Sequence, residues 1–317
     1  MKTLPDLKML MAIAVTFASG VTLAVPIDDR LLTETTPWLM WNNVDAPTII
    51  NSTANNFRPT DLEITNGPTG PRFSTTMVKE DSGTYAQPFW WYYGDTLNNM
   101  VDHYSNNLAR LIALRPYVQP NGSVLFASLM VGNSGANSES WWNYVGLTQA
   151  QIDPFLNANH ARLVDLKSYI ELGQTHYSVI MVDNTGANAQ PWWWYYNVTA
   201  GDLQTYLSSN HARLYSLSRS ASDPARFDAI LTPDDGTPWA WLYGVSNLDL
   251  LNYAQNNHLR VIDVEQVPQG GEYVYDGVML GQTQRPVQVP EPDELLLFAS
   301  ALGLLAVFHA RRRRDFF

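Results

Sequence analysis

The chain has no cysteine, which excludes disulfide cross-links, thiol nucleophiles and cysteine-ligated metals. A fold of 317 residues must therefore be held by packing alone. Charge is scarce as well: only 15% of residues are Asp, Glu, Lys or Arg, and the 19 basic residues are outnumbered by 30 acidic ones. A net charge of −11 repels phosphate backbones, which argues against nucleic acid as a partner. A long disordered tract is equally out of keeping with a hydrophobic content of 45%.

What the chain does have is a pattern that returns. Arg58, Arg110, Arg162, Arg213 and Arg260 follow one another at steps of 52, 52, 51 and 47 residues. Each has an asparagine three residues earlier: Asn55, Asn107, Asn159, Asn210 and Asn257. Aromatic clusters precede each pair. They contain Trp90 and Trp91, Trp141 and Trp142, Trp192, Trp193 and Trp194, then Trp239 and Trp241, with Trp38 and Trp41 in a degenerate first copy. Self-similarity at this period marks units that bury their apolar faces against their neighbours.

The stretch from Arg162 to Arg213 reads most clearly. Arg162–Tyr169 alternates apolar and polar residues as a strand does, and Tyr177–Val182 reads as a second strand after a turn at Gly173. Asp183–Asn188 is dense in turn residues, and the aromatic run that follows reads as loop. A helix should open at Thr199, whose hydroxyl can cap the first turn with Asp202 completing the box. Thr96, Thr148 and Ser246 occupy the same position elsewhere, and Asp45 does so in the first copy. Positions four, seven and eight from these caps form an apolar stripe, for example Leu203, Tyr206 and Leu207. The expectation is an α+β tandem array of about five strand–strand–helix repeats of about 51 residues, with a propeller-like ring preferred to an open solenoid.

Both ends read as export signals. Residues 1–24 combine Lys2 and Lys8 with an apolar run and a small-x-small site ending at Ala24, as a signal peptide does; a retained membrane helix is the alternative. Residues 25–280 form the repeat domain and 281–292 a linker. The linker ends in Pro290, Glu291 and Pro292; an apolar stretch and Arg311, Arg312, Arg313 and Arg314 complete residues 293–317. Four arginines hold their end of a hydrophobic helix on the cytoplasmic side. This tail resembles the PEP-CTERM sorting signal of Gram-negative bacteria. The resemblance implies an exosortase and signal peptidase as partners during export, and a cell-envelope location with at least transient anchoring in the membrane. A plain C-terminal anchor is the alternative.

The units themselves resemble the Bacterial tandem repeat family, which also forms the N-terminal part of polyglycine hydrolases. Asn159–Leu166, His176–Val182 and Gly186–Tyr196 carry the likeness. The hydrolase part of those proteins implies a Ser-x-x-Lys nucleophile. None of the four lysines here lies three residues after a serine. The resemblance therefore implies the recognition half without its catalyst.

Candidate chemistry is judged against that architecture. His160, His211 and His258 share one position in three units; they read as helix-end residues rather than a metal site, and no cofactor is expected. The repeated Asn suits a left-handed helix end, and the repeated Arg suits a carbonyl or carboxylate of the next unit, with Asp61, Asp165 and Asp263 as natural partners. Asp234 and Asp235, with Asp228 nearby, are the best acid pair for a hydrolase, but they also read as a turn. The tryptophan runs divide between packing and exposed platforms on which sugar or peptide chains stack. The expected function is non-catalytic binding of an extracellular polysaccharide or peptide, with a carboxylate hydrolase as the alternative.

Overall fold

A computed structural model describes residues 28, 30–33, 36–67, 70–80 and 86–281. The expected signal peptide, most of the linker, Pro290–Glu291–Pro292 and the basic tail lie outside the described residues. Among the described residues no helix is long and apolar enough to cross a membrane.

The repeat is a strand, a helix and two further strands, present five times. The first unit comprises β1 (Trp38–Val44), α1 (Ala46–Ala54), β2 (Phe57–Gly67) and β3 (Gly70–Lys79). The second has β4 (Phe89–Asp95), α2 (Leu97–Asn106), β5 (Ala109–Val118) and β6 (Val124–Gly132). The third has β7 (Trp141–Leu147), α3 (Gln149–Asn159), β8 (Ala161–Glu171) and β9 (Gln174–Asp183). The fourth has β10 (Trp193–Val198), α4 (Ala200–Asn210), β11 (Ala212–Ser220) and β12 (Asp223–Pro233). The fifth has β13 (Trp239–Val245), α5 (Asn247–Asn256), β14 (Leu259–Gln269) and β15 (Glu272–Gly281).

Each unit is an antiparallel three-stranded sheet in which the last strand lies between the other two. The expected pair of strands is there as a hairpin. The aromatic run, read from sequence as loop, is instead a third strand on the open edge of that hairpin. Aromatic residues favour strands, and this one carries rings on both faces, so it lacks the simple alternation of a half-buried strand. The first copy, degenerate in sequence, has all four elements of the unit. In every aromatic strand the pairing register breaks at a left-handed residue: Asn43, Gly94, Gly146, Asn197 or Gly244. Such a bulge bends the strand before it enters the helix.

The helices begin where capping chemistry places them. Asp45, Thr96, Thr199 and Ser246 accept from the backbone amides of Thr48, Asn99, Asp202 and Asp249, while Gln151 reaches back to the Thr148 amide at 2.9 Å. Positions four and eight of the stripe are buried as expected, as Ile152 and Leu156, Leu203 and Leu207, or Leu250 and Ala254. Position seven leans outward onto the aromatic strand. Tyr206 stacks on Tyr195 at 3.9 Å, and Phe155 on Tyr144 at 4.1 Å.

The second strands carry the contacts between units. β2 lies against β5, β5 against β8, β8 against β11, and β11 against β14; β14 in turn lies against β2.

Candidate functional site

The repeated arginines and asparagines have separate structural tasks. Each arginine side chain is buried, and in the first four units it faces a polar group in the link to the next unit's aromatic strand. Glu80 lies 4.0 Å from Arg58, Glu139 3.7 Å from Arg110 and Asp235 4.0 Å from Arg213. The amide oxygen of Gln190, in the orientation that satisfies both groups, accepts from Arg162 at 2.8 Å. Arg260 donates to the Leu32 carbonyl at 3.1 Å. The reach toward the next unit is as expected, but Asp61, Asp165 and Asp263 are not the partners.

The asparagines do not adopt the left-handed conformation themselves. That falls to the next residue: Asn56, Leu108, His160, His211 and His258 all have φ between 50° and 60°. The Asn side chain instead ties helix to strand, where Asn107, Asn159 and Asn210 donate to Tyr92, Tyr144 and Tyr195 at 2.8–3.0 Å. The first and fifth units have no tyrosine at that strand position. There Asn55 and Asn257 donate to the helix carbonyls of Asn51 and Tyr253. The three histidines are exposed at corresponding corners of separate units.

All nine candidate tryptophans are half-buried. Their strands pack between units, which the contacts of Phe73 and Phe227 display. Phe73 of the first unit meets Trp91 and Tyr93 of the second at 5.6 and 5.1 Å, and Phe227 of the fourth meets Trp241 and Tyr243 of the fifth at 5.8 and 5.5 Å, all edge-on. Among the described residues, the rings most open to solvent are tyrosines of the same aromatic runs. Tyr93, Tyr196 and Tyr243 are 42%, 42% and 48% exposed. Each lies two residues beyond a tryptophan and rests against it, at 5.5, 5.6 and 5.0 Å. The spacing was a usable signal, because residues two apart on a strand share a face.

Two grooves recur at matching places. The one between the third and fourth units, about 650 Å³, is bordered by Leu156, His160, Asn184 and Trp192–Trp194. Between the fourth and fifth units the same positions supply Leu207, His211, Asp234 and Trp239 around about 450 Å³. Between the second and third units Tyr104 replaces the leucine, and it packs edge-on to Trp141 at 5.0 Å.

The candidate acids do not converge. Asp234 and Asp235 accept from the Gly236 and Thr237 amides at 3.0 Å, as turn residues do. Asp228 lies six positions back along extended chain, roughly 20 Å away. It is buried, accepting from the Asn197 bulge amide at 2.8 Å and from Ser168 at 2.6 Å. Burial raises its pKa.

A denser set of charges occupies the second strands. Asp61, Asp165 and Asp263 gather around Arg30 at 3.1, 3.9 and 3.6 Å. Arg115 reaches Asp61 at 3.1 Å, Asp165 at 2.8 Å and also Glu63. Lys167 bridges Glu63 and Glu265 at 2.8 and 2.6 Å. Burial, and then the neighbouring Asp61, pushes the Asp263 carboxyl up to about 7. Burial and Glu63 push Glu265 up as well. Burial lowers the pKa of Arg115 and of Lys167, but the surrounding carboxylates outweigh it and raise both. The fifth residue after each repeated arginine is Glu63, Arg115, Lys167, Ser218 or Glu265. That polar column inside apolar strands was the sequence signal for this cluster.

No model of a known protein family matches the chain, and a comparison with curated proteins finds no match either.

Proposed function

We propose that the protein is an exported, envelope-associated, non-catalytic repeat protein. On this reading it binds an extracellular glycan or peptide in the grooves between its units. The observation that carries the proposal is the recurrence of one indole-walled groove at two junctions. Tyrosine faces stand exposed on the same strands, and indole and phenol rings are the side chains on which such ligands stack. The best acid candidates are spent on turns and on a bulge amide, which supports binding without turnover. Export rests on the leader and on the tail that resembles a PEP-CTERM signal. The recognition role accords with the resemblance to Bacterial tandem repeats.

We further propose that the five units close into a propeller-like ring. Three bonds between the first unit and the fifth support closure: Asp61 to the Val264 amide, Asn42 to Asn247, and Ser74 to Gln266.

Titrating residues 25–289 with glycan and peptide panels, while following tryptophan fluorescence, tests the binding reading. Saturable quenching that Trp192→Ala and Trp239→Ala weaken supports it. Release of a product from any panel member overturns the non-catalytic assignment.

A further inference from the structure

We infer that Asp61, Asp165 and Asp263 build a preorganised guanidinium socket, which Arg30 fills as a tethered ligand. The three carboxylates come from the first, third and fifth units. Arg30 comes from the segment ahead of the first unit and is 4% exposed. Its Nη1 donates to the Val164 carbonyl at 2.7 Å and its Nη2 to Asp61 at 3.1 Å, with Asp263 and Asp165 close behind. The guanidinium carbon lies 5.4 Å from the centre of the Tyr215 ring. A planar fork between carboxylates, with an aromatic face beside it, suits guanidinium better than ammonium.

The socket does not depend on its occupant. Each carboxylate is already held by a backbone amide of another unit: Asp61 by Val264 at 2.9 Å, Asp165 by Leu114 at 2.9 Å and Asp263 by Leu217 at 3.4 Å. Arg115 fixes Asp61 and Asp165 from a separate direction. Without Arg30, three carboxyl groups would share the single Arg115 guanidinium, so the vacated site would draw a positive ligand. Arg30 also fits imperfectly, because among the described residues its buried Nε has no acceptor. A buried donor left unpaired costs free energy, and a free guanidinium, released from the chain, can turn to use that edge.

The test is chemical rescue of the full chain, read by thermal melting. Arg30→Ala should melt below the wild type, and about 10 mM methylguanidinium should restore at least half of the loss while moving the wild type little. Equal concentrations of methylammonium, sodium and calcium chloride should restore less. If Arg30→Ala is unfolded alone, refolding it with methylguanidinium replaces the melt, and failure to recover folded protein overturns the inference. Rescue by calcium or methylammonium to the same degree would also overturn it, because the site would then read charge alone. Arg30→Lys gives a second reading: it should melt between the wild type and Arg30→Ala. If it matches the wild type, the fork geometry is irrelevant and the assignment falls.

Discussion

The Asp61 carboxylate accepts a hydrogen bond from the Val264 amide, 203 residues along the chain. The same bond joins Asp165 to Leu114 and Asp263 to Leu217. In each case an aspartate three residues after a repeated arginine meets the amide four residues after another. For the second and third pairs the partners are consecutive units, so the first and fifth units meet in the way that consecutive ones do. The ring proposal then predicts that these two units can be linked. Asn42 Nδ2 lies 2.5 Å from Asn247 Oδ1, and the chain has no competing thiols. Asn42→Cys with Asn247→Cys should be bridged within one molecule by a short bis-maleimide, giving a monomer of altered gel mobility. Linked dimers, or no linkage, would open the ring. Asp61→Ala should cost about 3–5 kcal/mol in chemical denaturation, because two buried guanidiniums lose their shared acceptor.

The buried acids give stability a sign with pH. Asp263, held at about 7, keeps its proton in the folded chain at pH values where the unfolded chain has lost it. The contribution of this group to stability is therefore fully present below the ordinary carboxylate range and is lost as pH rises from about 4 through about 7. Glu265, also raised, acts in the same direction. The groups facing them are Asp61 and Glu63 on β2, Arg115 on β5, Asp165 and Lys167 on β8, and Arg30. Asp263→Asn has no such proton to lose. Urea midpoints at about pH 5 and about pH 8 should differ less for this variant than for the wild type. An unchanged difference would show that Asp263 is not the group responsible.

The period, the phase of the Asn–Arg pairs and the helix starts were legible because each rests on local chemistry. A cap residue acts on amides two or three positions away, and a helix stripe repeats within two turns. The aromatic strands were less legible, since rings on both faces erase the period of two. Leu108 shows a further limit: it takes a left-handed conformation with φ of 50°, which its side chain gives no reason to expect. The repeated geometry imposes what His160 and His211 do at the same place. Least legible was the charge cluster. Asp61 finds Arg30 and Arg115, 31 and 54 residues away, only once the second strands are brought together.

Packing and presentation can be separated in one Trp–Tyr pair. Trp241 lies edge-on to Phe227 at 5.8 Å and beneath Tyr243 at 5.0 Å, whereas Tyr243 is 48% exposed. Trp241→Ala should lose about 2–4 kcal/mol through the cavity it leaves at the junction. Tyr243→Ala should lose about 1 kcal/mol or less, its ring contacts being the Trp241 face, the Phe227 ring edge-on and the Arg219 cation. If the exposed tyrosines carry ligand stacking, Tyr243→Ala should still reduce binding in the fluorescence titration. A variant that melts and binds as the wild type does would remove this position from the ligand surface.

A last prediction concerns a turn where the residue does not suit its backbone. β8 and β9 are joined by Leu172 and Gly173 alone, with Glu171 paired to Gln174. Both turn residues have positive φ, 49° and 77°, as two-residue hairpins favour. The β14–β15 hairpin meets this demand with Gly270 and Gly271. Leu172 meets it with a branched side chain that is 95% exposed, so it carries backbone strain and gains almost no burial in return. Asparagine tolerates this conformation and keeps the turn. Leu172→Asn should therefore raise stability by about 0.5–1 kcal/mol, seen as a higher urea midpoint with an unchanged slope. Gly173→Ala, which adds a side chain at the other positive-φ position, should lower the midpoint. If Leu172→Asn proves neutral or destabilising, the turn is not the strained element that its dihedral angles describe.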